Sequence, residues 1–169
     1  MTDLKSKEIR SEITSEGKLN LSIVTSDVPT PGDDDVLIKV EASPINPSDL
    51  GLLISFAADL DSISSQGSGE DTVTTMGIHP GLMQSMKPRI DKSMKVGNEG
   101  GGVIIDAGKN VKNLIGKTVG VAGGAMYSQY RCLPAMSCLV MNEGTTSVEA
   151  ASSFVNPLTA LGFTETMKL

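Results

Sequence analysis

Polar and apolar residues alternate through KSKEIRSEI (5–13) and again through KLNLSIVTSDV (18–28), with TSEG between them. A period of two puts one face of an extended chain in a core and the other in water, and Gly and Ser supply a turn, so the pattern predicts two strands. PTPGDDD (29–35) reads as a loop and VLIKVEASPI (36–45) as a third strand. NPSDLGLLIS then changes period. Asn46 is placed as a cap, Pro47 at the first helical position and Asp49 in the first turn, predicting a short helix over 47–54.

From about Phe56 the texture alters again. DSISSQGSGEDTVTT is rich in Ser and Gly and shows no period, so residues 57–93 read as an exposed loop or mobile polar insertion, with one helical turn near HPGLMQSMK. Short apolar runs punctuated by glycine follow in MKVGNEGGGVIIDAG, KTVGVAG, AMYSQYRCLP and SCLVMNEG. Many short strands with regular turn signals predict a closed or nearly closed β-barrel. Thr146 and Glu149 form a capping box that opens a helix at SVEAASSF. Asn156 followed by Pro157 reads as a fresh cap and first turn for a second helix through LTALGFTETMK. The expected fold class is therefore mainly β with short helices, a barrel over 1–145 and a helical segment over 146–169. No internal repeat is visible.

Composition narrows the function. The 169 residues carry a net charge of −6 and include two Tyr, three Phe and no Trp. Nucleic acid calls for basic faces and stacking rings, so it is not an expected partner. No apolar run approaches a membrane span, and the charged N-terminus lacks the apolar centre of a secretory signal. Cys132 and Cys138 match neither a disulfide framework nor a zinc-ligand spacing. A cytoplasmic protein without a membrane partner is the expectation.

The glycines of VGNEGGGVIIDAG (96–108) raise the possibility of a phosphate loop. That loop needs G-x-G-x-x-G between a buried strand and a helix. Gly97, Gly100, Gly101 and Gly102 lack the spacing, a β-branched run follows them, and Glu99 stands among them. They read instead as positions where a curved strand admits another backbone.

Four segments taken together, VLIKVEASPINPSDLGLL, VGNEGGGVIIDAG, GKTVGVAGGAMYSQYRCLP and ASSFVNPLTALGF, resemble the N-terminal half of the medium-chain dehydrogenase/reductases, in the zinc-independent quinone oxidoreductase branch. The resemblance covers nearly the whole chain. It implies a GroES-like β-barrel that forms the substrate domain of an oxidoreductase, with NADPH held by a Rossmann domain and hydride passed to a quinone, enone or carbonyl. It also implies that about half of such an enzyme, the Rossmann domain, lies outside these residues or on a partner chain. The chain alone is then expected to bind no cofactor tightly and to be inactive or barely active. Zinc-dependent relatives carry Gly-His-Glu where Gly97-Asn98-Glu99 stands and a Cys where INPSDL stands, and amides and hydroxyls are poor zinc ligands. No zinc is expected, and the sole histidine, His79, falls in the polar insertion.

The resemblance places Asn46, Ser48 and Asp49 near nicotinamide and substrate, and brings the polar groups of Asn156 and Thr159, in NPLTA, to the nicotinamide carboxamide and ribose. Without it, Asn46 and Asn156 read as helix caps. Tyr127 could contact substrate, although packing is the preferred reading for both Tyr127 and Tyr130. Glu99 reads as a leftover of the metal site, bonded only to backbone. No general acid is assigned. The competing reading is a standalone GroES-like binding or assembly module with 57–93 as its docking loop. The helical apolar positions Val148, Ala151, Val155, Leu158 and Leu161 need a partner, so a homodimer is also expected.

Overall fold

The computed structural model describes residues 4–168. Ten strands form two five-stranded antiparallel sheets. The first has the order β4-β5-β2-β1-β6, with β1 (Lys5–Ile13), β2 (Lys18–Asp27), β4 (Ala58–Gln66), β5 (Val73–Ile78) and β6 (Met94–Lys95). The second has the order β10-β8-β7-β3-β9, with β3 (Asp35–Ala42), β7 (Glu99–Ala107), β8 (Thr118–Ala122), β9 (Tyr130–Pro134) and β10 (Cys138–Val140). Four helices accompany them: α1 (Pro47–Leu53), α2 (Met83–Met86), α3 (Ser147–Ala151) and α4 (Val155–Thr166).

The alternation in the first two strands sets their register, which runs from Lys5 opposite Asp27 to Ile13 opposite Leu19. A turn at Gly17, at φ +76°, closes that hairpin. No continuous ladder joins the two sheets. They meet along a seam where the segment before β9 lies against β1. Ile9 N donates to Tyr127 O (2.9 Å), Gln129 N to Lys7 O (3.0 Å) and Tyr130 N to Ser6 Oγ (3.2 Å). The barrel is thus two curled sheets stitched at one edge.

Each sheet has its own core. Val36, Ile38, Ile104, Ala107, Val119, Val121, Met126 and Leu133 form one. Ile13, Leu19, Ala57, Met76, Ile78 and Met86 form the other. Four of those last six residues come from 57–93, so the reading of that stretch as an exposed loop is corrected. The polar half of it, β4, is indeed exposed. Thr74, Met76 and Ile78 alternate inward along β5, however, and β5 pairs with β2 from Lys18–Gly77 to Ser22–Val73. The period-two signal is confined to a few residues and is masked by the Ser-rich partner strand beside it.

The glycines of β7 admit neighbouring backbone. A Cβ on Gly102 would stand 2.1 Å from Lys39 O on β3, and one on Gly101 would stand 2.3 Å from Ser147 O on α3. Gly97, at φ +92°, lies under Tyr127, where a Cβ would stand 2.6 Å from the Tyr127 nitrogen. Close approach of this kind leaves no room for a side chain. It also brings α1, α3 and residues 126–129 to one corner of the molecule.

Candidate functional site

The corner is built on α1. Asn46 is its N-cap residue, with extended backbone, and Pro47 sits in the first turn, as the pattern predicted. The side chains are used differently from a simple cap. Asp49, almost wholly buried, accepts the Asn46 N–H (2.7 Å) through one oxygen and the Asn98 N–H (2.7 Å) through the other. Two backbone donors and the positive end of the helix suit a buried carboxylate. The Asn46 amide is thereby free to turn away from its own helix.

It turns to Glu99, which is completely buried. Asn46 Nδ2 donates to Glu99 Oε1 (2.9 Å), and Glu99 Oε2 accepts from Phe154 N (3.0 Å) and Val155 N (2.9 Å). Glu99 is therefore bonded to a side chain as well as to backbone, which corrects the expectation of backbone partners alone. Asn156 Nδ2 approaches Asn46 Oδ1 at 3.4 Å. Asn156 is not the cap of the second C-terminal helix. That position belongs to Phe154, and Asn156 lies one residue inside α4. Ser48 Oγ accepts from Asn98 Nδ2 (3.0 Å). The corner thus gathers Asn46, Ser48, Asp49, Asn98, Glu99 and Asn156, with Ser48 and Asn156 at its exposed rim.

The opposite end of α1 is closed by a residue that the pattern did not single out. Arg89 Nη1 donates to Gly51 O (3.2 Å), and its Nη2 donates to Leu52 O (2.7 Å) and Ser11 Oγ (3.1 Å). Ser11 Oγ donates in turn to Leu53 O (2.8 Å). A cation on the last carbonyls satisfies groups that a helix leaves unpaired and complements its dipole. Arg89 lies 36 or more residues beyond α1 in sequence, so no local signal could have found it. Glu99 did carry a signal, an acidic residue inside a buried glycine run.

Tyr127 forms the inner wall. Its hydroxyl donates to Pro44 O (3.0 Å), and burial together with the neighbouring Asp49 charge pushes its pKa up to about 12. The phenol stays protonated near neutrality and remains a hydrogen-bond donor. Beside it opens a cleft of about 410 Å³, lined chiefly by Ile9, Val40, Ala42, Ile45, Leu53 and Met126. It is largely apolar, with Glu41, Ser43, Tyr127, Ser128 and Gln129 as polar points. Such a cleft suits a small, mostly apolar molecule held by a few hydrogen bonds.

One of the expected site residues stands apart. Thr159 Oγ1 donates to Val155 O (2.7 Å) within its own helix, on an exposed face. Tyr130 lies in β9, where its backbone pairs with Lys39. Burial raises the thiol pKa of Cys132, with Asp35 and Asp106 adding to the shift, and lifts that of Cys138 to about 11. Neither is a poised nucleophile. Among the described residues, no three His, Cys, Asp or Glu side chains come together as a metal site, and no helix is long and apolar enough to cross a membrane.

No protein-family model and no curated protein matches the sequence. Solved structures do. A Mesorhizobium loti protein assigned as an NADPH:quinone reductase aligns over 99% of this chain and 46% of its own, at 23% identity and TM-score 0.64. This chain has their fold. A quinone oxidoreductase of Coxiella burnetii aligns over 96% of this chain and 46% of its own, at 20% identity and TM-score 0.59. A mycobacterial protein solved in complex with NADPH aligns over 92% of this chain and 38% of its own, at 20% identity and TM-score 0.58. The chain spans less than half the length of each of these structures. The fold shared with them is mainly β and GroES-like.

Proposed function

We propose that these residues form the substrate-side domain of an NADPH-dependent quinone or enone oxidoreductase of the medium-chain type, working without zinc. The observation that carries this reading is the placement of the apolar cleft beside the Asn46–Asp49 corner, within a fold shared along almost the full chain with quinone reductases. The substrate ring occupies the cleft against Tyr127, whose hydroxyl proton is held on Pro44 O and whose oxygen keeps a free acceptor position.

The corner suits a nicotinamide. Ser48, Asn98 and Asn156 offer hydroxyl and amide groups at its rim, matching a carboxamide that both donates and accepts. Bound there, NADPH supplies the hydride. The chain's residues orient it and exclude water. Among the described residues the corner offers no cation for the phosphates, and Arg89, at the other end of α1, is spent on that helix's carbonyls. A nucleotide-binding domain, on the same polypeptide or another, completes the site.

The face that receives this domain is α4. No described residue of the helix is buried, and Leu158, Leu161, Phe163 and Met167 are exposed along it and just after it. Apolar residues on more than one side of a helix call for cover. A second copy of the chain is the competing occupant, and the sedimented mass of the chain before and after joining to a nucleotide-binding domain separates the two. Cytoplasmic placement belongs to the same reading.

The test measures NADPH oxidation with a quinone. The 169 residues alone should show no measurable turnover, and the same residues joined to a nucleotide-binding domain should turn over. Equal rates from both would sink the cofactor argument. No rate from the joined protein with quinones, enones or carbonyls would favour a binding module instead.

A further inference from the structure

We infer that Glu99 is a positioning residue, a buried carboxylate that stands in for the missing cap of α4 and sets how that helix meets the α1 corner. Its bearing on reduction rests on the function proposed above, but the geometry does not.

Helix α4 lacks the ordinary means of fixing its start. Its N-cap is Phe154, which has no side-chain acceptor and whose backbone is already in the helical region. The first bond inside the helix is Leu158 N to Phe154 O (2.9 Å), so the N–H groups before it need outside partners. The helix also buries none of its described residues, so apolar packing does not hold it in place. Glu99 Oε2 takes two of these donors, Phe154 N and Val155 N. The positive end of the helix favours an anion there, and the bonds are charge-assisted.

The same carboxylate gives Oε1 to Asn46, whose Oδ1 faces Asn156 on the first turn of α4. The contacts therefore close a ring from β7 to α1 to α4 and back. One buried group of fixed length determines both the direction of α4 and the orientation of the Asn46 and Asn156 amides. No cation is hydrogen-bonded to Glu99 among the described residues, where its partners are these three N–H groups. A buried carboxylate held this way has few alternative positions, because each lost donor leaves charge unpaired.

Amide hydrogen exchange on the ¹⁵N-labelled chain tests this without any nucleotide, so the outcome is independent of whether the reductase reading holds. Val155 and Asn156 are neighbours in the first turn, and among the described residues Val155 N has an acceptor whereas Asn156 N has none. In the native chain Val155 should exchange about tenfold or more slowly than Asn156, reversing the usual uniform fraying of a helix start. Glu99→Met keeps the side chain's length and removes the acceptor. It should erase that difference and shift the Asn46 and Asn156 side-chain amide resonances, while Ile104, Val119 and Val121 in the sheet keep their rates. Val155 exchanging as fast as Asn156 in the native chain overturns the inference, and so does protection that survives Glu99→Met. If the variant does not fold, the native comparison decides alone.

Discussion

Single residues decide whether the backbone can close at this corner. Gly101 and Gly102 face carbonyl oxygens of α3 and β3 at distances no Cβ can occupy. Gly101→Ala and Gly102→Ala should each destabilise the protein by about 3 kcal/mol or more, because backbone on both sides must shift. Gly162→Ala on exposed α4 meets nothing within 4 Å and should gain stability of up to about 1 kcal/mol from helix propensity. Thermal unfolding of the three variants checks both signs. A loss of similar size at all three positions would mean that the glycines serve local flexibility rather than close approach. That these glycines belong to a strand rather than a phosphate loop was legible from their spacing, the β-branched run after them and Glu99 among them, whereas which backbone each glycine admits was not.

Among the elements, the stretch 57–93 shows how local composition can mislead. Ser and Asp make up most of β4, yet β5 and α2 send Met76, Ile78 and Met86 into the second core. Met76→Ala should destabilise by about 2–5 kcal/mol as a core truncation, while Leu60→Ser on the exposed edge strand should change little. Urea unfolding distinguishes the two. The same stretch delivers Arg89 to the end of α1. Arg89→Lys keeps the charge but loses the fork that spans Gly51, Leu52 and Ser11, and should lower stability by about 2 kcal/mol with faster amide exchange in α1. An unchanged exchange rate in α1 would show that Arg89 is not its anchor. Helix starts were readable in advance where the cap is local, at Asn46 and Thr146. The start of α4 was misplaced because its acceptor comes from β7, 55 residues earlier.

For the whole molecule, the seam between the two sheets is the joint to watch. Glu8 lies on it, buried, bridged to Ser128 through its backbone and paired with Arg10 and Lys95. Burial pushes its carboxyl upward, but the hydrogen bonds and charges of Arg10 and Lys95 outweigh this and hold it below its ordinary 4.5. A lowered folded-state value means that stability is fully present above 4.5 and is lost as pH falls through the folded value. Glu8→Gln should therefore be less stable than the native protein at pH 7, and the gap should close in acid below 4.5. Urea midpoints across that range check the sign. A gap that stays constant with pH would assign the effect to packing.

The mainly β class, the first helix and the reading of the glycines as strand positions were all determined by the sequence itself, because period, turn residues and spacing act over a few neighbouring positions. Which sheet each strand joined, which apolar residues of 57–93 were buried, and the partners of Asp49, Arg89 and Glu99 were decided only by the tertiary structure. Those features depend on groups tens of residues apart. A buried charge takes whichever donors the fold brings within hydrogen-bond reach, and local pattern carries no record of that distance.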